Sequence, residues 1–363
     1  MNVIIVNCFD TYEHRVDLLC SFFTNRGDNV KVYTSNFRHF EKTERIDNKE
    51  NYIYVKTNHY YRNISLKRLW SHYKLSKNIF KKLEKESIDL LWVLIPPNSF
   101  TKDAAKYKKK HQKTKLIFDV IDMWPETMPV YKFENLPVIK TWKNLRNKWI
   151  DFADCVVTEC DLYQEKLIDY VKESKMRTIY LAREISEYKG NPNLSKDIIS
   201  LCYLGSINNI IDIPTIGNII KELRMKKPII LHIIGDGENR NKLIAVAERA
   251  GAKVIYHGKV YNQFEKLKIF DSCHFGLNIM KESVFVGLTM KSIDYFEAGL
   301  PIINNIKGDT WRMVEEYGIG FNFNKKIPDN NFTRDDVRDF YEKIFSVGNF
   351  EKKIEEVMDF ENI

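Results

Sequence analysis

The sequence lacks any apolar run as long as the roughly 18 residues that a membrane-spanning helix needs. Its first residues, MNVIIVNCFD, lack the basic segment and the long apolar segment of a secretion signal. Its 6 cysteines form no C-x-x-C pair and stand beside no paired histidines, so they indicate neither a zinc site nor a dense disulfide framework. These absences predict a cytoplasmic chain with reduced thiols, which contacts a membrane peripherally if at all.

Glycine is absent from the loop that follows the first predicted strand, NCFDTYEHR at residues 7–15. A dinucleotide-binding turn needs several glycines there, because its backbone must approach a pyrophosphate closely. An NAD-dependent dehydrogenase is therefore disfavoured. His14 and Arg15 end this loop, and they are either contacts for a phosphate or an acceptor, or surface residues at the start of a helix.

The chain does have the length and composition of two α/β cores. Its 363 residues are 44% hydrophobic and 29% charged, which is an ordinary globular balance. Lysine and arginine total 57 against 49 acidic residues, a formal net charge of +8 that suits an anionic partner such as a phosphate compound, nucleic acid or acidic lipid. The aromatic residues form no recognisable nucleic-acid-binding motif, so we expect no nucleic acid partner.

Short apolar segments alternate with helical, lysine-rich segments along the first half of the chain. Predicted strands lie at residues 3–6, 30–33, 90–94, 116–120, 155–158 and 178–181. Such alternation predicts a mostly parallel, doubly wound sheet. A polar stretch from Gly190 to Asn193 then interrupts the pattern, and its turn-forming composition suggests a linker.

The same alternation begins again after this stretch. Predicted strands lie at residues 200–204, 229–234, 253–256, 275–279 and 301–304. We therefore predict an acceptor-binding domain over 1–190, a donor-binding domain over 191–333, and a helical segment over 334–363 that packs back on the first domain. In doubly wound sheets ligands bind beyond the carboxyl ends of the strands, so the residues after each strand are the candidates for function.

The most informative segment is GLTMKSIDYFEAGLPII at residues 287–303. A glycine loop leads into a helix that carries Lys291 and Asp294 one turn apart, and Gly299 and Pro301 lead into an apolar strand. Amides at a helix start can hold a diphosphate, a lysine can neutralise it, and a carboxylate can accept ribose hydroxyls. The plainer explanation is a solvated ion pair on a surface helix.

These residues resemble the GT-B glycosyltransferases of family 4, in particular those that assemble bacterial surface polysaccharides. Further elements match in order, and they are YLGSI at 203–207, IGDG at 234–237, YHGKV at 256–260, and DVIDMWPE at 119–126, which is similar to a D-x-W-P-E stretch of the polysaccharide-building members. The resemblance implies two Rossmann-like domains that face a central cleft. It also implies transfer of a sugar from a nucleotide donor, UDP-linked, to a hydroxyl group with retention of configuration and without a metal or other cofactor.

The resemblance also assigns roles. Lys291 would contact the diphosphate, Asp294 the ribose and the backbone near Lys259 the base. The remaining donor-side candidates are Gly205, Ser206, Gly235, Gly237, Gly287, Leu288 and Thr289. Two departures stand out: Val286 occupies the position of the first acid of the family's E-x7-E motif, for which Glu282 is the candidate substitute, and the basic pair expected after Gly205 is missing.

On the acceptor side we predict roles for Asp119, Asp122 and Glu126, besides Arg15. The candidate catalytic residues are Lys291, Asp122, Glu126 and His14. Asp119 and Asp122 can equally be capping and turn residues, and Trp124 with Pro125 can be packing.

Residues 60–85 carry many lysines and arginines interleaved with aromatic residues. Leu66, Leu69, Tyr73, Phe80 and Leu83 fall at helical spacing, which predicts a crossover helix with a basic solvent face. The alternative is a surface that docks on an anionic membrane, where a lipid-linked acceptor would reside.

Two other functions remain open at this point. The same architecture serves sugar-nucleotide epimerases, which need no acceptor. A non-catalytic partner of another transferase, or a homo-oligomer, is also compatible with Val286 and the missing basic pair.

Overall fold

The computed structural model describes residues 1–46, 48–128, 135–185, 190, 192, 194–324 and 332–359. Its contacts divide the chain into two units, Met1–Leu181 with Phe350–Ile363, and Ala182–Asn349. The division falls ahead of the linker suggested by composition, in which Asn191 and Asn193 lie outside the described residues. No helix within the described residues is long and apolar enough to cross a membrane.

A parallel sheet organises the first unit. Its strands within the described residues are β1 (Asn2–Val6), β2 (Asn29–Ser35), β3 (Tyr52–Val55), β4 (Leu90–Ile95), β5 (Lys115–Val120), β6 (Cys155–Thr158) and β7 (Met176–Thr178). Their order in the sheet is β3-β2-β1-β4-β5-β6-β7. The winding direction changes between β1 and β4, so this is the doubly wound sheet that the alternation of segments predicts. β4 reads LLWVLI and is buried along its whole length, as a central parallel strand between two helix layers must be.

Helices connect these strands and pack on the sheet. They are α1 (Glu13–Asn25), α2 (Leu66–Leu83), α3 (Asn98–Lys110), α4 (Pro137–Asn147) and α5 (Asp161–Leu167).

The second unit repeats this architecture. Its described strands are β8 (Ile199–Leu204), β9 (Ile229–Ile234), β10 (Ala252–Gly258), β11 (Phe275–Asn278), β12 (Ile302–Asn304) and β13 (Gly320–Asn322), in the order β10-β9-β8-β11-β12-β13. Its helices are α6 (Ile213–Arg224), α7 (Arg240–Arg249), α8 (Gln263–Asp271), α9 (Met290–Glu297), α10 (Asp309–Tyr317) and α11 (Arg334–Phe345). The winding changes between β8 and β11, where a ligand of such a sheet is expected.

The last helix, α12 (Val347–Met358), begins in the second unit, and its residues from Phe350 onward belong to the first. There Lys115 donates to the carbonyl oxygens of Val357 and Met358 at 3.3 and 3.0 Å. A cation at the C-terminal end of a helix neutralises the exposed carbonyl groups and the helix dipole.

The face of α2 matches the prediction in part. Phe80 and Leu83 are buried and Leu69 is half-buried, whereas Leu66 and Tyr73 are 76% and 40% exposed. The buried face also carries Arg68 and His72, and the Ser76 hydroxyl on it donates to Asp103 of α3 at 2.7 Å.

Candidate active site

Three neighbouring strands of the second sheet end in glycines with positive φ, namely Gly205, Gly235 and Gly258. The N–H of Gly205 donates to the carbonyl of Ile234, and the N–H of Gly235 donates to that of Gly258, at 2.9 and 2.7 Å. A Cβ on Gly235 would lie 2.0 Å from the carbonyl oxygen of Gly205, so a side chain cannot be accommodated there. The edge formed by β8, β9 and β10 is therefore bare backbone.

The next loop of this edge shows the same close packing. A Cβ on Gly237 would lie 2.4 Å from the carbonyl oxygen of Ile207, so Gly237 also has to be glycine. The structure thus brings together the predicted glycines Gly205, Gly235 and Gly237. Ser206 and Lys259 lie in the same post-strand loops and are exposed.

Helix α9 starts beside this edge, with its first turn fixed by a capping box. The Thr289 hydroxyl accepts from the N–H of Ser292 at 3.2 Å, and the Ser292 hydroxyl accepts from the N–H of Thr289 at 3.4 Å. The first-turn N–H groups of Met290 and Lys291 have no acceptor within the helix, because a helix leaves its first donors unpaired. They are the amides available to a phosphate.

Three asparagine side chains, hydrogen-bonded in series and called the asparagine ladder below, support the loop before α9. Asn278, Asn304 and Asn322 end β11, β12 and β13, and their side chains bond in series at 2.9 and 2.7 Å. The Thr289 hydroxyl donates to Asn278 at 2.9 Å, which joins the cap of α9 to the ladder. Gly287 is also held by buried groups, because both the N–H and the hydroxyl of Thr310 donate to its carbonyl oxygen. Buried hydrogen bonds therefore position both Gly287 and the capping residue Thr289. Leu288, between Gly287 and Thr289 in this loop, is half-buried.

Lys291 is a nearly buried cation without an acidic partner. Its Nζ lies 5.0 Å from the centroid of the Tyr203 ring, and no hydrogen bond or ion pair links its ammonium to any described residue. Burial lowers the pKa of Lys291 from 10.5 to about 7. Tyr203 belongs to β8 and donates to the carbonyl of Ser206 at 3.0 Å, so Lys291 lies at the change of winding, beside the Gly205–Ser206 turn.

Asp294 faces cations from other elements rather than Lys291. Its Oδ1 lies 2.5 Å from Nη1 of Arg183 and 3.4 Å from Nζ of Lys266, while Oδ2 has no partner among the described residues. Glu297, one turn later, is also within 3.6 Å of Arg183. Burial raises the pKa of Glu297, and the neighbouring charge of Asp294 raises it further against the effect of Arg183.

The surface ion pair considered from the sequence, Lys291 with Asp294, is thus absent. The sequence reasoning also missed Arg183 and Lys266, which lie far from α9 in the chain and carry no local motif.

Glu282 does not replace the acid missing at Val286. Its side chain is 86% exposed and pairs with Lys307, itself 74% exposed, at 2.9 Å. This exposed pairing gives no support to the prediction that Glu282 contacts the donor, which stays a prediction. Among the described residues no group of three or more histidine, cysteine, aspartate and glutamate side chains is placed to hold a metal ion.

In the first unit, Arg15 and Asp119 form a buried ion pair. Nε and Nη2 of Arg15 each donate to one oxygen of Asp119 at 2.9 Å, and Trp92 donates to the same carboxylate at 2.9 Å. The two residues are 2% and 0% exposed. Both side chains are fully engaged with each other, which weighs against their predicted acceptor-side role; that role stays a prediction.

Glu126 is likewise held by cations, with Arg146 at 2.7 Å and Lys143 at 3.1 Å. Burial would raise the pKa of Glu126, but the hydrogen bonds and charge of Arg146 outweigh it and lower the pKa below its ordinary value. An ionised, doubly paired carboxylate has no proton to donate, so the catalytic role predicted for Glu126 is not supported. His14 is exposed at the start of α1 and lies outside this cluster.

Asp122 has the opposite environment. It is hydrogen-bonded by Trp124 Nε1 at 2.7 Å and by the Thr127 hydroxyl, yet burial raises its pKa. A second carboxyl, Glu159, follows β6 directly, and its N–H donates to the carbonyl of Val120 at the end of β5. Burial raises the pKa of Glu159 to about 8, with Arg15 opposing the shift and Asp122 adding to it.

No described residue forms a hydrogen bond or ion pair with the Glu159 side chain. Tyr12 completes the group, because burial and the carboxyls of Asp122 and Glu159 all raise its pKa. The carboxyl edge of the first sheet therefore presents two carboxyl groups whose pKa values burial raises, that of Glu159 to about 8 and that of Asp122 above its ordinary value. Glu159 was missed, although its place directly after a predicted strand was a usable signal.

No family model matches the chain, and no curated protein sequence matches it. Solved structures match it along its whole length. The apo form of the lipopolysaccharide outer core galactosyltransferase WaaB has a TM-score of 0.66 at 14% identity, with 100% of both chains covered. Anabaena HepE in complex with UDP and glucose has a TM-score of 0.62 at 13% identity, with 99% of both chains covered.

Sucrose-phosphate synthase from Thermosynechococcus elongatus matches with a TM-score of 0.62 at 11% identity, over 99% of this chain and 98% of that chain. These neighbours consist of two Rossmann-like domains. The chain has the GT-B fold. The predicted fold class is thereby confirmed, whereas the roles of Lys291, Asp294 and Asp122 stay predictions, because a GT-B fold does not by itself assign a site.

Proposed function

We propose that this GT-B protein is a glycosyltransferase that moves a sugar from a UDP-linked donor to a hydroxyl group of a glycan or lipid-linked acceptor. The observation that carries the proposal is Lys291, an unpaired, buried ammonium group at the change of winding of the second sheet. Support also comes from the neighbours, one of which is named a galactosyltransferase and another of which holds UDP and glucose. Transfer with retention, in surface polysaccharide synthesis at the inner face of the membrane, is part of the proposal.

The charges and free amides of the second unit determine how the donor binds. The diphosphate lies against the bare backbone at Gly205 and Gly235 and against the free amides at the start of α9, and Lys291 supplies the counter-charge. Oδ2 of Asp294 accepts from the ribose while Arg183 and Lys266 hold Oδ1. As the bond from sugar to diphosphate breaks, negative charge develops on the leaving phosphate, and a preorganised cation stabilises it.

The acceptor half uses the carboxyl pair of the first unit. Glu159, which keeps its proton near neutral pH, donates a hydrogen bond to an oxygen of the acceptor, and a carboxyl oxygen of Asp122 accepts one from the acceptor hydroxyl. Their role is to orient the hydroxyl group.

The test is a thermal-shift screen of the purified chain against nucleotides and nucleotide sugars, followed by assay of UDP release with glycan acceptors. A bound donor raises the melting temperature by mass action, and UDP compounds should do so more than the other nucleotides. No shift with any nucleotide at millimolar concentration would refute the proposal. Isomerised donor in the absence of acceptor would indicate an epimerase, and binding without turnover would indicate a partner subunit.

A further inference from the structure

A buried arginine without a carboxylate partner lies in the first turn of α2. Arg68 is 4% exposed and forms no ion pair with any described residue. Its Nη1 donates to the carbonyl of Asn63, and its Nε has no hydrogen-bond partner. The guanidinium carbon lies 4.4 Å from the centroid of the Trp124 ring and 5.5 Å from that of Phe9.

The groups in contact with Arg68 do not balance its charge, and Asp122, whose pKa the charge of Arg68 acts to lower, forms no ion pair with it. Tyr60, Cys8 and Tyr12 face it, and burial raises the pKa of each, so all three are neutral at pH 7. Burial and the charge of Arg68 lower the pKa of His72, which is neutral as well. Stacking on aromatic faces compensates a buried cation only in part, and a buried charge without a partner is strongly unfavourable. An anion from outside the chain would satisfy it.

Arg68 lies in the wall of an apolar groove. The groove has a volume of about 250 Å³ and is lined mainly by apolar side chains of α2, α4 and the segments before them. Those that matter here are Ile64, Leu66, Leu69, Val138, Ile139 and Trp142. Ile64, Leu66 and Val138 are 56%, 76% and 55% exposed, so an apolar surface continues from the groove to the outside of the first unit.

The Trp124 ring links this groove to the carboxyl pair. One face of the ring lies over Arg68, while its Nε1 donates to Oδ2 of Asp122 at 2.7 Å. A ligand whose anionic group meets Arg68 would therefore reach Asp122 with the next few atoms of its head group.

We propose that this groove binds a lipid phosphate or diphosphate, with the apolar chain along α2 and α4 and the phosphate against Arg68. The inference rests on the proposed function and deepens it, because it makes the acceptor a lipid-linked sugar phosphate whose hydroxyl meets the carboxyl pair. Neither part of the site selects this ligand alone: the groove would take an uncharged chain, and Arg68 alone would take any small anion.

The experiment measures binding of farnesyl phosphate, farnesol and inorganic phosphate to the full chain by titration calorimetry. Farnesyl phosphate should bind at least about tenfold more tightly than either of the others, because charge-assisted hydrogen bonds add to burial of the chain. Arg68→Met should weaken the binding of farnesyl phosphate about 10- to 100-fold and leave the affinity for farnesol unchanged. Val138→Asp should weaken both lipids.

Arg26→Met is the matched control, because Arg26 also lies over aromatic rings but at the end of α1, where it pairs with Asp28. It should change none of the affinities. Arg68→Lys, which keeps the charge, should retain the preference for the phosphate form with a smaller loss. If Arg68→Met does not fold, the affinities of the natural chain for farnesyl phosphate, farnesol and inorganic phosphate still test the proposal.

UDP binding is measured on the same samples. Normal UDP binding together with equal affinity for farnesyl phosphate and farnesol would overturn this inference and leave the proposed function standing. Loss of UDP binding altogether would overturn the proposed function. Inorganic phosphate that binds as tightly as farnesyl phosphate, or phosphatidylglycerol vesicles that bind with the same dependence on Arg68, would also overturn the inference, since the site would then hold a free anion or bulk membrane lipid.

Discussion

The carboxyl edges of the two sheets each contain a titratable group without an ion-pair partner among the described residues, a lysine in the second unit and a glutamate in the first. In the second unit burial lowers the pKa of Lys291 to about 7, and in the first burial raises the pKa of Glu159 to about 8. Both shifts favour the neutral form, because neither group has a counter-ion among the described residues. The fully engaged, buried pair of Arg15 and Asp119, by contrast, belongs to the scaffold. The comparison teaches that an unpaired buried group, rather than a motif, marks where a ligand completes the site.

The largest expected effect comes from removing the cation of the second edge. Lys291→Met should lower kcat about 100- to 1,000-fold, the typical loss when one donor to a developing oxyanion is removed. The melting temperature should stay the same or rise, because methionine removes a buried charge and keeps most of the side-chain volume. Steady-state kinetics and thermal unfolding measure both.

Lys268→Ala is the control for Lys291, since Lys268 also lies over an aromatic ring, Phe264, at 4.3 Å, but on the exposed side of α8. It should leave kcat unchanged. Near-normal transfer by the methionine variant would remove Lys291 from the mechanism.

A smaller effect is expected at Asp294. Asp294→Asn should raise the Kd for UDP about tenfold or more, because it removes a charge-assisted hydrogen bond to a ribose hydroxyl. The variant should not change the affinity for 2′,3′-dideoxy-UDP, which lacks those hydroxyls. Titration of both ligands separates the ribose contact from a general loss of structure, and equal weakening of the two would show that Asp294 only anchors Arg183 and Lys266.

The smallest effect concerns stability and the first edge. The folded-state pKa of Glu159, about 8, exceeds its ordinary value of 4.5, so the folded chain binds more protons than the unfolded chain between these values. Stability therefore falls as pH rises through this window. The melting temperature of Glu159→Gln should equal that of the natural chain near pH 4.5 and exceed it by a few degrees above pH 8. This difference corresponds to a gain in the free energy of unfolding of roughly 1 kcal/mol or more.

Glu173→Gln, at an exposed position of the same unit, is the control for Glu159 and should follow the natural chain at every pH. If the melting temperature of Glu159→Gln also follows that of the natural chain at every pH, Glu159 is ionised at neutral pH and cannot donate a hydrogen bond to the acceptor.

The central strands of both sheets could be predicted from the sequence, but some of the edge strands could not. Strands such as β6 and β9 were found at their observed bounds, because buried parallel strands are continuous apolar runs. β3 and β13 were missed, since edge strands of four and three residues are too short to show a pattern. The buried face of α2 was predicted in part: Phe80 and Leu83 are buried as expected, but Leu66 and Tyr73 are exposed, and polar residues such as Ser76 and His72 are buried in addition.

Some features of the site could likewise be predicted from the sequence, and others could not. Glycines and the cap of α9 were predictable because local backbone geometry requires them. Whether a charged side chain is paired was not predictable, since the partners come from distant positions: Arg15 meets Asp119 and Arg183 meets Asp294 only in the folded chain. That pairing weighs against Arg15, Asp119 and Glu126, while Lys291, Asp294 and Asp122 stay candidates and Glu159 joins them from the structure.

The central claim is that the diphosphate of the donor supplies the counter-charge of Lys291, and proton uptake tests it most directly. Titration calorimetry of UDP at pH 8, in two buffers of different ionisation enthalpy, gives the number of protons bound with the ligand. A lysine with a pKa near 7 is mostly neutral at pH 8, so the natural chain should take up close to one proton and Lys291→Met none. UDP binding with equal proton uptake by both chains would contradict the account.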